Sequence, residues 1–127
     1  MRHIALKVRD VGRSKKFYQD ILGMDVVWEP DPLNVYLTSG CDNLAIHGMT
    51  ESFAENAADR QLDHLGFLVE TSERVKELER EFLAQGVPIV HPFKIHRDGS
   101  ASFYCADPDG IVIQLLYEPT LSRQAIS

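Results

Sequence analysis

Two histidines hold matching places in two matching stretches of this chain. His3-Ile4-Ala5-Leu6-Lys7-Val8 and His64-Leu65-Gly66-Phe67-Leu68-Val69 lie 61 positions apart, and Arg13, Phe17 and Leu22 fall over Arg74, Leu78 and Leu83 at the same offset. An imidazole titrates near neutral pH and ligates metals, so it suits both proton transfer and metal chemistry. A pair of them repeated in a duplicated unit points to His3 and His64 as metal ligands in a site built where two copies meet. A second feature is the run His96-Arg97-Asp98-Gly99-Ser100, in which Arg97 is suited to an anionic group of a substrate. Other chemistries are poorly supported. Ser14 and Ser39 have no His–Asp pattern around them, which argues against a serine nucleophile. Glu73, Glu77, Glu79 and Glu81 read as a solvated helix face.

Composition narrows the class. At 127 residues the chain is long enough for one compact domain with a real core, expected over residues 1–127. A formal net charge of −6 argues against nucleic acid as a partner, because phosphate binding needs a basic face. There is no apolar run of 18 residues and no leader-like start, so neither a membrane partner nor export is expected. Cys41 and Cys105 make no disulfide framework; they read as small buried hydrophobes in a reducing, cytoplasmic compartment.

The elements that must position the histidines come in a repeated order. Residues 3–8 alternate as a strand, and 12–22 place Phe17, Tyr18, Ile21 and Leu22 on one helical face before Gly23 stops the helix. Val26–Trp28 is a short strand, with Phe17 and Trp28 expected in the core. Val35–Leu37 and Asn43–His47 form a hairpin, completing a βαβββ module over about 1–48. A polar, alanine-rich linker covers 49–62. The second module, about 63–119, repeats the order: a strand over 64–69 and a helix capped at Thr71 or Ser72, with Val75, Leu78 and Phe82 inward and Gly86 at its end. A strand at Val87–Val90 follows, then a hairpin of Ser102–Ala106 and Ile111–Tyr117 turning on Asp107-Pro108-Asp109-Gly110. A tail spans 120–127. Matching Ala45 to Gln114 gives an offset of 69 against 61 at the first strand, so eight extra residues fall mainly in His91–Ser100, predicted to be a loop that acts as a lid or contacts substrate.

Two βαβββ modules with a histidine on each first strand, together with "KFYQDILGM" and "SFYCADPDGIVIQLLY", resemble the vicinal oxygen chelate superfamily. That group includes glyoxalase I, extradiol dioxygenases and the fosfomycin and bleomycin resistance proteins. The resemblance runs from His3 to about Pro119. It implies an α+β fold in which two tandem modules form a curled mixed-sheet cup, with metal ligands projecting from first and last strands.

The family's four ligand places fall on His3, Ala45, His64 and Gln114. The implied set is therefore His3, His64 and Gln114 around a divalent metal ion (Fe, Mn, Ni or Zn), with an amide where a carboxylate is usual. An amide does not accept a proton near neutral pH, so Gln114 cannot be the base that the family's glutamate resembles. His47, two residues beyond Ala45 on the same strand face, is the best substitute, as the proton-moving group or as a fourth ligand. Ser102 and Tyr104 match positions that line the cup, and join Arg97 as expected substrate contacts. Ala5 departs from the fosfomycin-type pattern. The resemblance implies a homodimer, with His3 from one chain and His64 and Gln114 from the other. The expected function is metal-dependent chemistry of the glyoxalase/dioxygenase kind on a small oxygen-bearing metabolite. The alternative is a metal-free small-molecule binding protein of the bleomycin-resistance type.

Overall fold

The computed structural model describes residues 1–49 and 62–122, which divide into two compact units. The first unit runs β1 (His3–Val8), α1 (Val11–Asp20), β2 (Asp25–Asp31), β3 (Asn34–Thr38) and β4 (Asn43–Gly48). The second runs β5 (Leu65–Leu68), α2 (Ser72–Ala84), β6 (Ile89–Ile95), β7 (Ala101–Ala106) and β8 (Val112–Tyr117). Each is a βαβββ module with a mixed four-stranded sheet, ordered β1-β4-β3-β2 and β5-β8-β7-β6. The first strand pairs parallel with the last, and the other pairings are antiparallel. Residues 50–61 of the linker expected over 49–62, and most of the tail, lie outside the described residues. Among the described residues no helix is long and apolar enough to cross a membrane.

Alternation along the strands divides each sheet into a covered and an open face. In the first unit Leu6, Val8, Val35, Leu37, Leu44 and Ile46 are buried, as are Val11, Ser14 and Tyr18 on α1. In the second, α2 lays Val75 and Phe82 over Phe103, Cys105, Ile113 and Leu115, all buried, with the Phe82 and Phe103 rings edge to face and their centroids 5.5 Å apart. Both helices are closed at their ends as their residues dictate. Asp10 and Thr71 accept from the amides of Arg13 and Arg74, at 3.0 and 3.1 Å, satisfying first-turn donors. Past the helices, Gly23 and Gly86 take φ of 70° and 77°, the left-handed conformation glycine adopts without penalty.

The edge strands β2 and β6 carry the same irregularity. Between Trp28↔Tyr36 and Asp31↔Asn34, and again between His91↔Tyr104 and Lys94↔Ser102, two edge-strand residues face one on the neighbour. These are bulges, and each contains a proline, Pro30 or Pro92, tolerated because an edge strand does not need every amide. The amide of Phe93 is taken by the carboxylate of Glu79 at 2.6 Å, tying α2 to the bulge. Glu79 is therefore not the idle solvated side chain expected from its helix face.

Three further expectations are corrected. His91–Ile95 is strand, not lid: pairing with β7 carries β6 through Pro92, and only residues 96–100 form the connection. Trp28 is 59% exposed rather than core, because it stands on an edge strand on the face away from α1. Cys41 is exposed, sitting in the turn that Asp42 closes by accepting from the Ser39 amide at 2.6 Å; Cys105 is buried as expected.

Candidate functional site

The open faces carry the residues of interest. In the second unit the strand register sets Gly66, Gln114, Tyr104 and His91 side by side across β5, β8, β7 and β6. His64 precedes Gly66 by two residues and so shares its face. Both imidazoles meet the phenol ring edge to face, His64 at 5.4 Å and His91 at 5.2 Å between centroids. Asp63, His64, His91, Tyr104 and Val112 line an open pocket of about 240 Å3. Gly66 lies directly beside Gln114: a methyl group there would sit in ordinary van der Waals contact, 3.8 Å from the amide Oε1.

The ring of His64 is oriented by its neighbour: Nδ1 and Asp63 Oδ2 are 2.6 Å apart. A carboxylate only accepts, so Nδ1 carries the proton and Nε2 is left as the ring's lone-pair nitrogen. A histidine whose second nitrogen is held by a carboxylate is the usual arrangement for a metal ligand.

In the first unit the corresponding row is Ala5, Ala45, Tyr36 and Trp28. Ala45, at the place that Gln114 holds in the second unit, is buried and offers no ligand. His3 precedes Ala5 by two residues, and its Nδ1 pairs with Asn43 Oδ1 at 2.9 Å, again leaving Nε2. Trp28 stacks on Tyr36 at 5.0 Å, and Tyr36 meets His47 edge to face at 5.9 Å.

His47 is the most constrained of the three. Its Nδ1 lies 2.6 Å from Asn34 Oδ1, while Asn34 Nδ2 donates to both oxygens of Asp31 at 2.9 and 3.0 Å. The Asn34 side chain, with the Leu33 amide helping, holds the Asp31 carboxyl below its ordinary range.

The other expected contacts are less open. Ser102 is buried, with its Oγ 3.3 Å from His96 Nε2. Arg97 is exposed in the turn between β6 and β7, outside the residues lining the pocket. Tyr104 is half-buried between the two imidazoles. Sequence reasoning missed His91, because the register shift between Ile89 and His91 that brings it opposite Tyr104 is not visible before the pairing is known. It also missed Asn34 and Asp31, although their polar types at the turn between two strands were a usable signal.

Among the described residues no three His, Cys, Asp or Glu side chains gather as a metal set. The imidazoles of His3 and His64 and the amide oxygen of Gln114 are neutral donors, of types that suit nitrogen-favouring ions of the iron-to-zinc series.

Comparison with known proteins places this architecture. Residues 1–115 match the family model described as Glyoxalase/Bleomycin resistance protein/Dioxygenase superfamily. A virulence protein of Salmonella typhimurium, STM3117, is 26% identical over 117 residues, covering 89% of this chain and 80% of that protein. Lactoylglutathione lyase from Agrobacterium tumefaciens has a similar structure, with a TM-score of 0.77, 23% identity and 95% of each chain covered. So does an integron cassette protein from the mobile metagenome of Halifax Harbour sewage outfall, with a TM-score of 0.75, 25% identity and coverage of 93% and 97%.

Proposed function

Because the chain belongs to the glyoxalase/bleomycin resistance protein/dioxygenase superfamily, we propose that it is an enzyme acting on a small oxygen-bearing metabolite at a divalent metal ion. His3, His64 and Gln114 would hold the ion, in a homodimer with His3 from one protomer and the other two from its mate. The observation that carries this reading is the carboxylate-anchored ring of His64, with its Nε2 free, on the face it shares with Gln114. When bound, the ion supplies Lewis-acid polarisation of the ligand's oxygens.

The chain's own residues do the rest. Gln114 lends a neutral oxygen and cannot take a proton. His47 moves the proton at Nε2, since its Nδ1 is already engaged. Tyr104 and His91 wall the pocket, while Arg97, exposed in the turn outside that lining, is kept as a contact for an anionic group of the substrate.

A metal-free binding protein is the second reading. The exposed indole of Trp28 stacked on Tyr36 supports it, because that pair offers a flat apolar surface to a planar ligand. The two readings separate in one experiment: elemental analysis of untagged protein reconstituted anaerobically with Fe(II), Mn(II), Ni(II) or Zn(II). About one ion per chain, lost in His3→Ala and His64→Ala but kept in Cys41→Ser, is the result expected of the enzyme. Absence of metal under every condition would leave the binding protein.

A further inference from the structure

The hydrogen bonds around His47 have a direction. Asp31 accepts only, so the Asn34 amide must turn its nitrogen toward that carboxylate, as the contacts at 2.9 and 3.0 Å show. Its oxygen then faces His47, and Nδ1 of the ring must donate to it across 2.6 Å. The Leu33 amide donates to Asp31 at 2.8 Å and fixes the far end of the chain of contacts.

The backbone holds these groups in line. Asn34 is the cross-strand partner of His47 on β4, and the bulge in β2 sets Asp31 opposite Asn34. The second unit has no such line, for its post-bulge pair is Lys94 and Ser102. Duplication of the module therefore does not account for it.

We propose that Asp31 and Asn34 are positioning residues that lock His47 as the Nδ1–H tautomer and so present Nε2 as a proton acceptor. This rests on the reading of His47 as the proton-moving group. A proton leaving the ligand goes to Nε2, giving an imidazolium whose Nδ1–H charge is met by the Asn34 oxygen and, beyond it, the Asp31 carboxylate. The same proton returns from Nε2 to the product, so the pair is unchanged over a cycle. Neither residue touches the ligand in this scheme; both act through the ring.

The test is long-range 1H–15N correlation NMR on metal-free protein labelled at histidine, with His47 assigned by its loss in His47→Gln. The expected signature at neutral pH is a pyrrole-type Nδ1 and a pyridine-type Nε2. Asn34→Leu should abolish that preference, Asn34→Asp should retain it by keeping an acceptor, and Asp31→Ala should give a mixture as the amide becomes free to turn. A wild-type His47 protonated at Nε2 overturns the proposal without reference to any variant. An Asn34→Leu spectrum unchanged at His47 does the same. Failure to bind metal would instead count against the enzyme reading and leave the tautomer result standing.

Discussion

The carboxylate of Asp63 holds Nδ1 of His64 at 2.6 Å, from the adjacent position in the chain and with no help from the sheet ladder. The carboxylate itself is almost wholly exposed, so the contact adds little to stability. Its consequence is orientation: one nitrogen is occupied and the other is offered on the sheet face that also carries Gln114.

Removing that carboxylate charge should be felt in metal affinity and not in folding. Asp63→Asn is expected to weaken divalent-ion binding by about 10- to 100-fold, the range for groups that orient a ligand. Competition titration against a chelator reads the change, and thermal melting of metal-free protein should be unaltered. An unchanged affinity would place His64 outside the ligand set.

Gln114→Glu restores a charge at the place where the amide stands. Divalent binding should tighten by about tenfold or more, the equivalent of ~1.4 kcal/mol of added attraction. The same titration measures it. Equal or weaker binding would mean that Gln114 does not face the ion.

The two cysteines should behave oppositely. Burial pushes the Cys105 thiol up to about 12, with Asp107 adding to the shift, whereas Cys41 is exposed. A thiol reagent should modify one cysteine in the native chain and two after denaturation. The raised folded value has a sign for stability. The contribution of Cys105 is fully present below the ordinary thiol value of 9.0 and is lost as pH rises toward about 12. Cys105→Ala should flatten that alkaline loss, measured by urea unfolding at stepped pH.

Phe82 is 2% exposed and packs edge to face on Phe103. Phe82→Ala is expected to cost about 3–5 kcal/mol in chemical unfolding, the range for emptying an aromatic site in a core.

Much of the architecture was legible in the residues because local rules agreed. Thr71 before a periodic stretch, Gly23 and Gly86 after one, and the Asp107–Gly110 turn each fixed a boundary. Asp107 Oδ1 accepts from the amides of Asp109 and Ile111, which is why that turn reads so clearly.

What was not legible depends on register across strands. The extent of β6 was hidden by Pro92, which ends a central strand but not an edge one. The exposure of Trp28 turns on which face of an edge strand it takes. His91 beside Tyr104, and Asp31 in line with Asn34 and His47, exist only once register shifts in β6 and β2 have moved the pairing. His3 and His64 could be named from their places in the repeat and His47 from its strand face; the groups beside their rings could not.

The central claim is that the two repeated histidines bind one ion. Pulsed electron paramagnetic resonance of protein loaded with a single equivalent of Cu(II) counts imidazoles through their remote nitrogens. The account predicts two imidazoles per ion in the wild type and one in either His3→Ala or His64→Ala. Two imidazoles persisting in both variants, or a wild-type ion with none, would contradict it.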